Sequence, residues 1–295
     1  MSVAIKVTEG VPRSVCTRMF NCAQVCRPAS MNRILSAAEK RSRYFRRLVN
    51  FKHMDFEYAL WQMLQLIVAP QRLFRNFKYR NCMLTNWLKL IFLSGSRRQW
   101  ARDDPAFLVL VFILVIVVNS ILASFSSPSV WEQVKFVMWV AVFDFFALAL
   151  IAATFFWIIA NRFLVDRSRV ALNANELLST SSELQTVNDV EWAYAFDIHL
   201  NAIFPSVLID LIHLPLFFFI LSNSFIGRFI GNSLWLVAAI YYNYITFLGY
   251  SALPFLKRTS TLLWPMTASV IIFTLSLALG WNFTVFLWQF YQFRL

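Results

Sequence analysis

Twenty consecutive residues, Ala106 to Phe125, carry no charge. Wound as a helix they reach about 30 Å, the thickness of a bilayer's hydrocarbon core. The same apolar density recurs downstream and predicts four more spans, at about 134–160, 201–221, 229–253 and 262–279. Polar breaks part them. The first, 126–133, contains Pro128, and the second, 161–200, is long and holds six acids and three basic residues. The others are 222–228 and a stretch after Pro254 that carries Lys257 and Arg258. Pro205 falls near the start of the third span and Pro215 inside it, which membrane helices tolerate because neighbours satisfy the freed carbonyls. The aromatic tail after 279 either extends the fifth span or lies in the interface. Asp103 and Asp104 can accept hydrogen bonds from the first span's free N–H groups, and Pro105 suits its first helical position. The fold class is all-α: a polytopic membrane protein with five transmembrane helices, residues 105–295.

Upstream the pattern changes. Residues 1–42 show no sustained period and read as a disordered basic tail. Residues 43–104 form a juxtamembrane region in which Lys40 to Lys52 interleaves basic and aromatic side chains. Met54 to Ala69 reads as an amphipathic helix. Phe56, Leu60, Met63, Leu64 and Ile67 fall on one face, with Gln62 and Gln65 opposite. It is too short to span, Pro70 stops it, and further basic residues follow. Arg43, Arg46, Arg47, Lys52, Arg72, Arg75, Lys78 and Arg80 thus flank an amphipathic segment beside the membrane. Such a surface suits anionic lipid, a cytosolic protein or RNA. Leu84 to Leu93 is another apolar run too short to cross.

Composition and charge sharpen the topology. The chain has 295 residues, 59% hydrophobic and 14% charged, which excludes an ordinary soluble domain. Residues 1–104 hold 19 Lys/Arg and 6 Asp/Glu; the rest hold 8 and 9. Five spans with the N-terminus inside place 24 of the 27 Lys/Arg on the cytoplasmic side, leaving Lys135, Arg228 and Arg294 opposite. That asymmetry argues for a cytoplasmic N-terminus and a lumenal C-terminus. Trp131, Trp281 and Trp288 lie near ends of spans, where interfacial aromatics belong. The opening residues lack an apolar signal core, so the first span does the targeting. Cys16, Cys22, Cys26 and Cys82 all lie in the basic third and are expected as reduced thiols. No second pair accompanies Cys22 and Cys26 to complete a zinc site.

Little in the chain points to chemistry. Asp144 sits inside the second span, where a charge is costly and calls for a partner or a proton. Asp210 and His213 are three apart on the third span and share a face, with Asp197 and His199 just before it. A polar pair inside the bundle accounts for them better than a metal. Asn282 to Thr284 is the one glycosylation sequon, and it abuts the fifth span. Nucleotide, nucleophile-elbow and metalloprotease fingerprints are absent, so no catalytic residue, cofactor or metal is assigned and an enzyme is not expected. A transporter or channel using Asp144 is the alternative, against which stand five spans, few intramembrane charges and no internal repeat.

Five blocks carry a family resemblance: 46–80, 99–110, 189–205, 225–257 and 275–284. Together they resemble the UNC-fifty family of eukaryotic multispan proteins, from about Arg43 to the C-terminus. The resemblance implies five spans, a cytoplasmic N-terminus and residence in Golgi and endoplasmic reticulum membranes. It implies a role in protein transport, with cell-surface delivery of nicotinic acetylcholine receptors and Golgi Arf exchange factors as partners. RNA binding and a nuclear inner membrane pool are also implied. Asp144 matches an acidic position of the family; Asp210 and His213 fall outside the matching blocks. Residues 81–96 and 170–188 read as insertions in cytoplasmic connections, where added length costs little.

Overall fold

The computed structural model describes residues 48, 54–75, 105–126, 129–166, 189–222, 224–253 and 255–294. The chain divides into two units, Met1–Ser42 and Arg43–Leu295, and every described residue belongs to the second. The predicted tail, the four cysteines and both predicted insertions lie outside the described residues.

Helix α1 is Phe56–Val68, capped by the Asp55 carboxylate, which accepts from the Tyr58 N–H at 3.0 Å. It frays at Ala69, but Pro70 does not end the helical path, because 70–75 turn helical again. Helix α2, Ala106–Ser126, is the first predicted span. Pro105 precedes it, and its carbonyl accepts the Val109 N–H at 3.1 Å.

Helix α3 runs without a break over Val130–Leu164, longer at both ends than the predicted 134–160. Its 35 residues make about 52 Å, well beyond a hydrocarbon core. Two stretches widen to π geometry, Val140–Ala147 and Ala160–Leu164. Helix α4, Trp192–Leu221, begins nine residues before the predicted third span, so part of the predicted 161–200 loop is helical. Pro205 and Pro215 both lie inside it. Helix α5 is Phe225–Ser251, joined to α4 by 222–224. A 3-10 turn, Thr259–Leu263, leads into α6, Trp264–Ala278. The tail forms α7, Phe283–Arg294.

Four helical segments are long and apolar enough to cross a membrane: Ala106–Phe125, Val130–Leu164, Trp192–Leu221 and Thr259–Ala278. Helix α5 has the length but not the apolar composition. Its polar side chains point inward: Asn232, Asn243 and Thr246 are all buried. Among the described residues the regular elements are helical, with one isolated bridge, Val165 to Leu256.

Ring contacts fix the relative heights. Phe125 of α2 meets Phe217 and Phe218 of α4 at 5.8 and 5.2 Å, so both helices end at one level. At the other end Phe107 meets Phe204 at 6.0 Å. The first twelve residues of α4 therefore run past the start of α2 by about 18 Å. This overhang builds its own core from Ala160, Leu164, Tyr194, Ile198, Tyr250 and Leu256. Lys257 pairs there with the buried Asp166. Gly249 lets the overhang close: a Cβ would stand 2.8 Å from Ile198.

Helix α1 lies at the level where α2 begins, its buried side in one core with Ala106, Phe107 and Val111. The buried residues are Ala59, Gln62, Met63 and Leu66; of the predicted apolar face Met63 is buried and Phe56 packs against the core, while Leu60, Leu64 and Ile67 are exposed. Gln62, which the sequence places opposite the apolar face, is turned into the bundle and donates to Asn201 at 3.3 Å, so a buried partner 139 residues away sets which side of the helix docks.

Candidate functional site

The seam that collects polar groups inside the bundle is made by α7. After α6 the chain turns through Gly280, whose φ of 72° lies in the left-handed region. A Cβ there would stand 2.8 Å from an Arg228 nitrogen, and Arg228 donates to the Gly280 carbonyl at 3.1 Å. The left-handed backbone favours glycine here, and any side chain would also displace the Arg228 guanidinium. The tail neither extends α6 nor lies flat; it folds back into the bundle.

Two asparagines seat its base. Asn232 of α5 donates to the Ser276 hydroxyl at 2.9 Å and the Trp281 carbonyl at 2.8 Å, and accepts from the Phe283 N–H at 3.1 Å. Asn282 donates to the Ile220 carbonyl at 2.7 Å while its oxygen caps α7 through the Thr284 N–H at 3.0 Å. The sequon asparagine is thus committed to a structural role. Trp235 donates to Thr284 at 3.1 Å.

Farther along, Trp288 packs edge-on against Phe217 at 4.8 Å. Tyr291 then reaches α3. Its ring meets Phe136 edge-on at 5.3 Å, and its hydroxyl donates to the Asp144 carboxylate at 2.5 Å. Asp144 lies in the π stretch Val140–Ala147, at the level of Phe112 of α2, which meets Phe145 at 5.5 Å. The extra residue per π turn rotates side chains off the regular α positions, and such bulges recur where a helix must aim a particular side chain. Here the residue aimed is the acid that receives the tail. The short, partly buried bond between a phenol and a carboxyl ties α7 to α3.

Asp210 of α4 acts electrostatically on the same Tyr291 hydroxyl. His213 does not join it. Its Nδ1 meets the Ile209 carbonyl at 3.1 Å and its ring lies 5.5 Å from Trp235. The two residues share a helix but serve different neighbours. Asp197 and His199 are buried in the overhang, with His199 Nδ1 against the Tyr242 hydroxyl at 2.8 Å. Among the described residues no group of three His, Cys, Asp or Glu is placed to hold a metal ion.

On the basic side Arg72 and Arg75 are exposed, between them the buried Leu73 and Phe74. Arg43, Arg46, Arg47, Lys52, Lys78, Arg80, Asp103 and Asp104 lie outside the described residues. The polar ties that hold α1 carried no signal in the sequence. Tyr241 donates to the Leu66 and Ile67 carbonyls at 2.8 and 3.1 Å, and Gln71 donates to Tyr244 at 2.6 Å. Asn232 and Tyr291 were equally silent, being ordinary residues until the tail folds back.

No solved structure matches this chain. The UNC-50 family model matches residues 44–292, which takes in every described helix but the last two residues of α7. A human protein named Protein unc-50 homolog is 45% identical over 262 residues, covering 88% of this chain and 90% of its own. The Xenopus laevis homolog A matches at 45% over the same shares. A Drosophila melanogaster homolog is 40% identical over 272 residues, covering 90% and 87%. A multispan helical architecture, matched over most of its length at this identity, makes the chain a member of the UNC-50 family.

Proposed function

We propose that the protein is a non-enzymatic trafficking or assembly factor of the early secretory pathway. It resides in Golgi and endoplasmic reticulum membranes and supports cell-surface expression of nicotinic acetylcholine receptors. The observation that carries this reading is family membership across nearly the whole chain, joined to a bundle whose polar side chains are spent on holding helices together. A bundle built that way suits recognition of other membrane segments better than passage of a solute. The transporter reading through Asp144 is weakened by the Tyr291 hydroxyl that already occupies this carboxylate.

In this reading α5 also crosses the membrane, as the fourth of five spans, because three residues join it to α4 and its polar groups face inward. The N-terminus is cytoplasmic, as the placement of Lys and Arg argues. The overhang of α3 and α4 then stands in the cytosol, and α7 re-enters the membrane from the lumenal side. Cytosolic partners of the Arf exchange-factor class meet the basic residues that flank α1 within 40–80, and the overhang. RNA is a further occupant of the basic third, tested by crosslinking at physiological salt.

The test is surface nicotinic receptor, measured against total receptor, in cells lacking the protein. Surface receptor falls while the total holds if the reading is right. An unchanged surface fraction overturns it for this client.

A further inference from the structure

Helix α1 has two apolar faces. Ala59, Gln62, Met63 and Leu66 are buried against the bundle. Leu60, Trp61, Leu64, Ile67 and Val68 form a second stripe at helical spacing, 52, 43, 61, 46 and 78% exposed. The stripe is not free to rotate inward, because Gln62 is held by Asn201 and the carbonyls of Leu66 and Ile67 by Tyr241.

We propose that this stripe is inserted into the cytoplasmic leaflet as an in-plane anchor, and that its occupant is anionic lipid. Three observations select that occupant. The helix packs beside Ala106 and Phe107, where the apolar course of α2 begins, so the stripe stands at the height of the membrane boundary. Trp61 stacks on Tyr58 at 5.8 Å within the stripe's edge, an amphipathic pair suited to the headgroup level. The charge is of one sign: from Tyr58 to Arg102 the chain has no acidic residue, and it carries Arg72, Arg75, Lys78, Arg80, Lys89, Arg97, Arg98 and Arg102. Apolar insertion beside basic side chains is how interfacial helices hold acidic leaflets. Unlike a free amphipathic helix, α1 is docked on its inner side, so lipid contact here stiffens a bundle already folded. The proposal rests on the membrane reading above but not on receptor traffic.

The test uses the full chain in nanodiscs that contain phosphatidylserine or phosphatidylcholine with a photoreactive acyl chain, read by mass spectrometry. Ile113 and Val117 of α2, both about half exposed, report lipid contact as an internal standard. Adducts are expected on the stripe as on α2, and not on Ala59, Gln62, Met63 or Leu66. Replacing Arg72→Gln or Arg75→Gln lowers the phosphatidylserine adducts by about five-fold each, the worth of one arginine at an anionic surface, and leaves phosphatidylcholine adducts unchanged. A labelled α2 with an unlabelled stripe overturns the proposal, whether water or a protein covers the stripe instead. Equal labelling of inner and outer faces overturns the docked geometry. Equal yields from both lipids, unmoved by the arginine variants, overturn the anionic assignment.

Discussion

Tyr291→Phe removes one oxygen and keeps the ring that packs on Phe136, so it isolates the bond to Asp144. A hydrogen bond to a charged acceptor is worth about 1.5–3 kcal/mol in soluble proteins. Interhelical bonds within membranes average nearer 0.6 kcal/mol, with a ceiling of about 1.7. The 2.5 Å distance and the partly buried setting place this one toward the ceiling, so a loss of about 1–1.7 kcal/mol is expected. Asp144→Ala should cost at least as much, since it also removes packing from the π stretch. The informative quantity is their coupling. With both changes together the loss should fall short of the sum by about 1 kcal/mol, because the same bond is removed twice. Unfolding of the purified protein in mixed micelles, titrated with denaturing detergent, gives all four corners of the cycle. Proteolytic release of residues beyond Gly280 gives a second readout specific to α7. Additive losses, with coupling under about 0.3 kcal/mol, would refute the claim that this bond seats the tail.

Three further outcomes follow from the same geometry. Gly280→Ala places a side chain at φ 72° against Arg228 and should lower stability by about 1–2 kcal/mol while speeding proteolysis of the tail, which detergent unfolding and digestion will show. Asn232→Ala removes three hydrogen bonds at the base of α7 and should cost about 2 kcal/mol by the same unfolding assay. Gln62→Ala frees the buried Asn201 from its bond to α1 and should cost about 1 kcal/mol, seen as faster hydrogen exchange across Phe56–Val68 with α2 unchanged.

How much of this was legible depended on whether partners were local. Helix α2 could be read from residues 106–125 alone, because an uncharged run of that length has one common fate. Helix α4 was begun too late, because Tyr194, Asp197 and His199 look like loop composition. In the structure they are buried, in an overhang whose core no hydropathy window contains. Which face of α1 meets the bundle was not legible for a related reason. With two apolar faces available, hydrophobicity cannot choose between them, and the choice falls to Gln62 and Tyr241. Asp144 was singled out by the cost of a charge in hydrocarbon, but its partner could not be named. Nothing local marks Tyr291 as the residue that returns across 147 positions. The pairing of Asp210 with His213 rested on spacing alone; in the structure the His213 ring meets the Ile209 carbonyl and Trp235.

The central claim is that this bundle acts in delivering membrane proteins to the cell surface. Its most direct test restores three forms to cells lacking the protein: the wild type, Tyr291→Phe, and a deletion of residues 40–80. Surface and total nicotinic receptor are measured together in each. The account predicts that wild type restores surface receptor at constant total. The deletion should fail at matched abundance, and Tyr291→Phe should fall short in proportion to its loss of folded protein. Surface receptor that is the same with and without the wild-type protein would contradict the account.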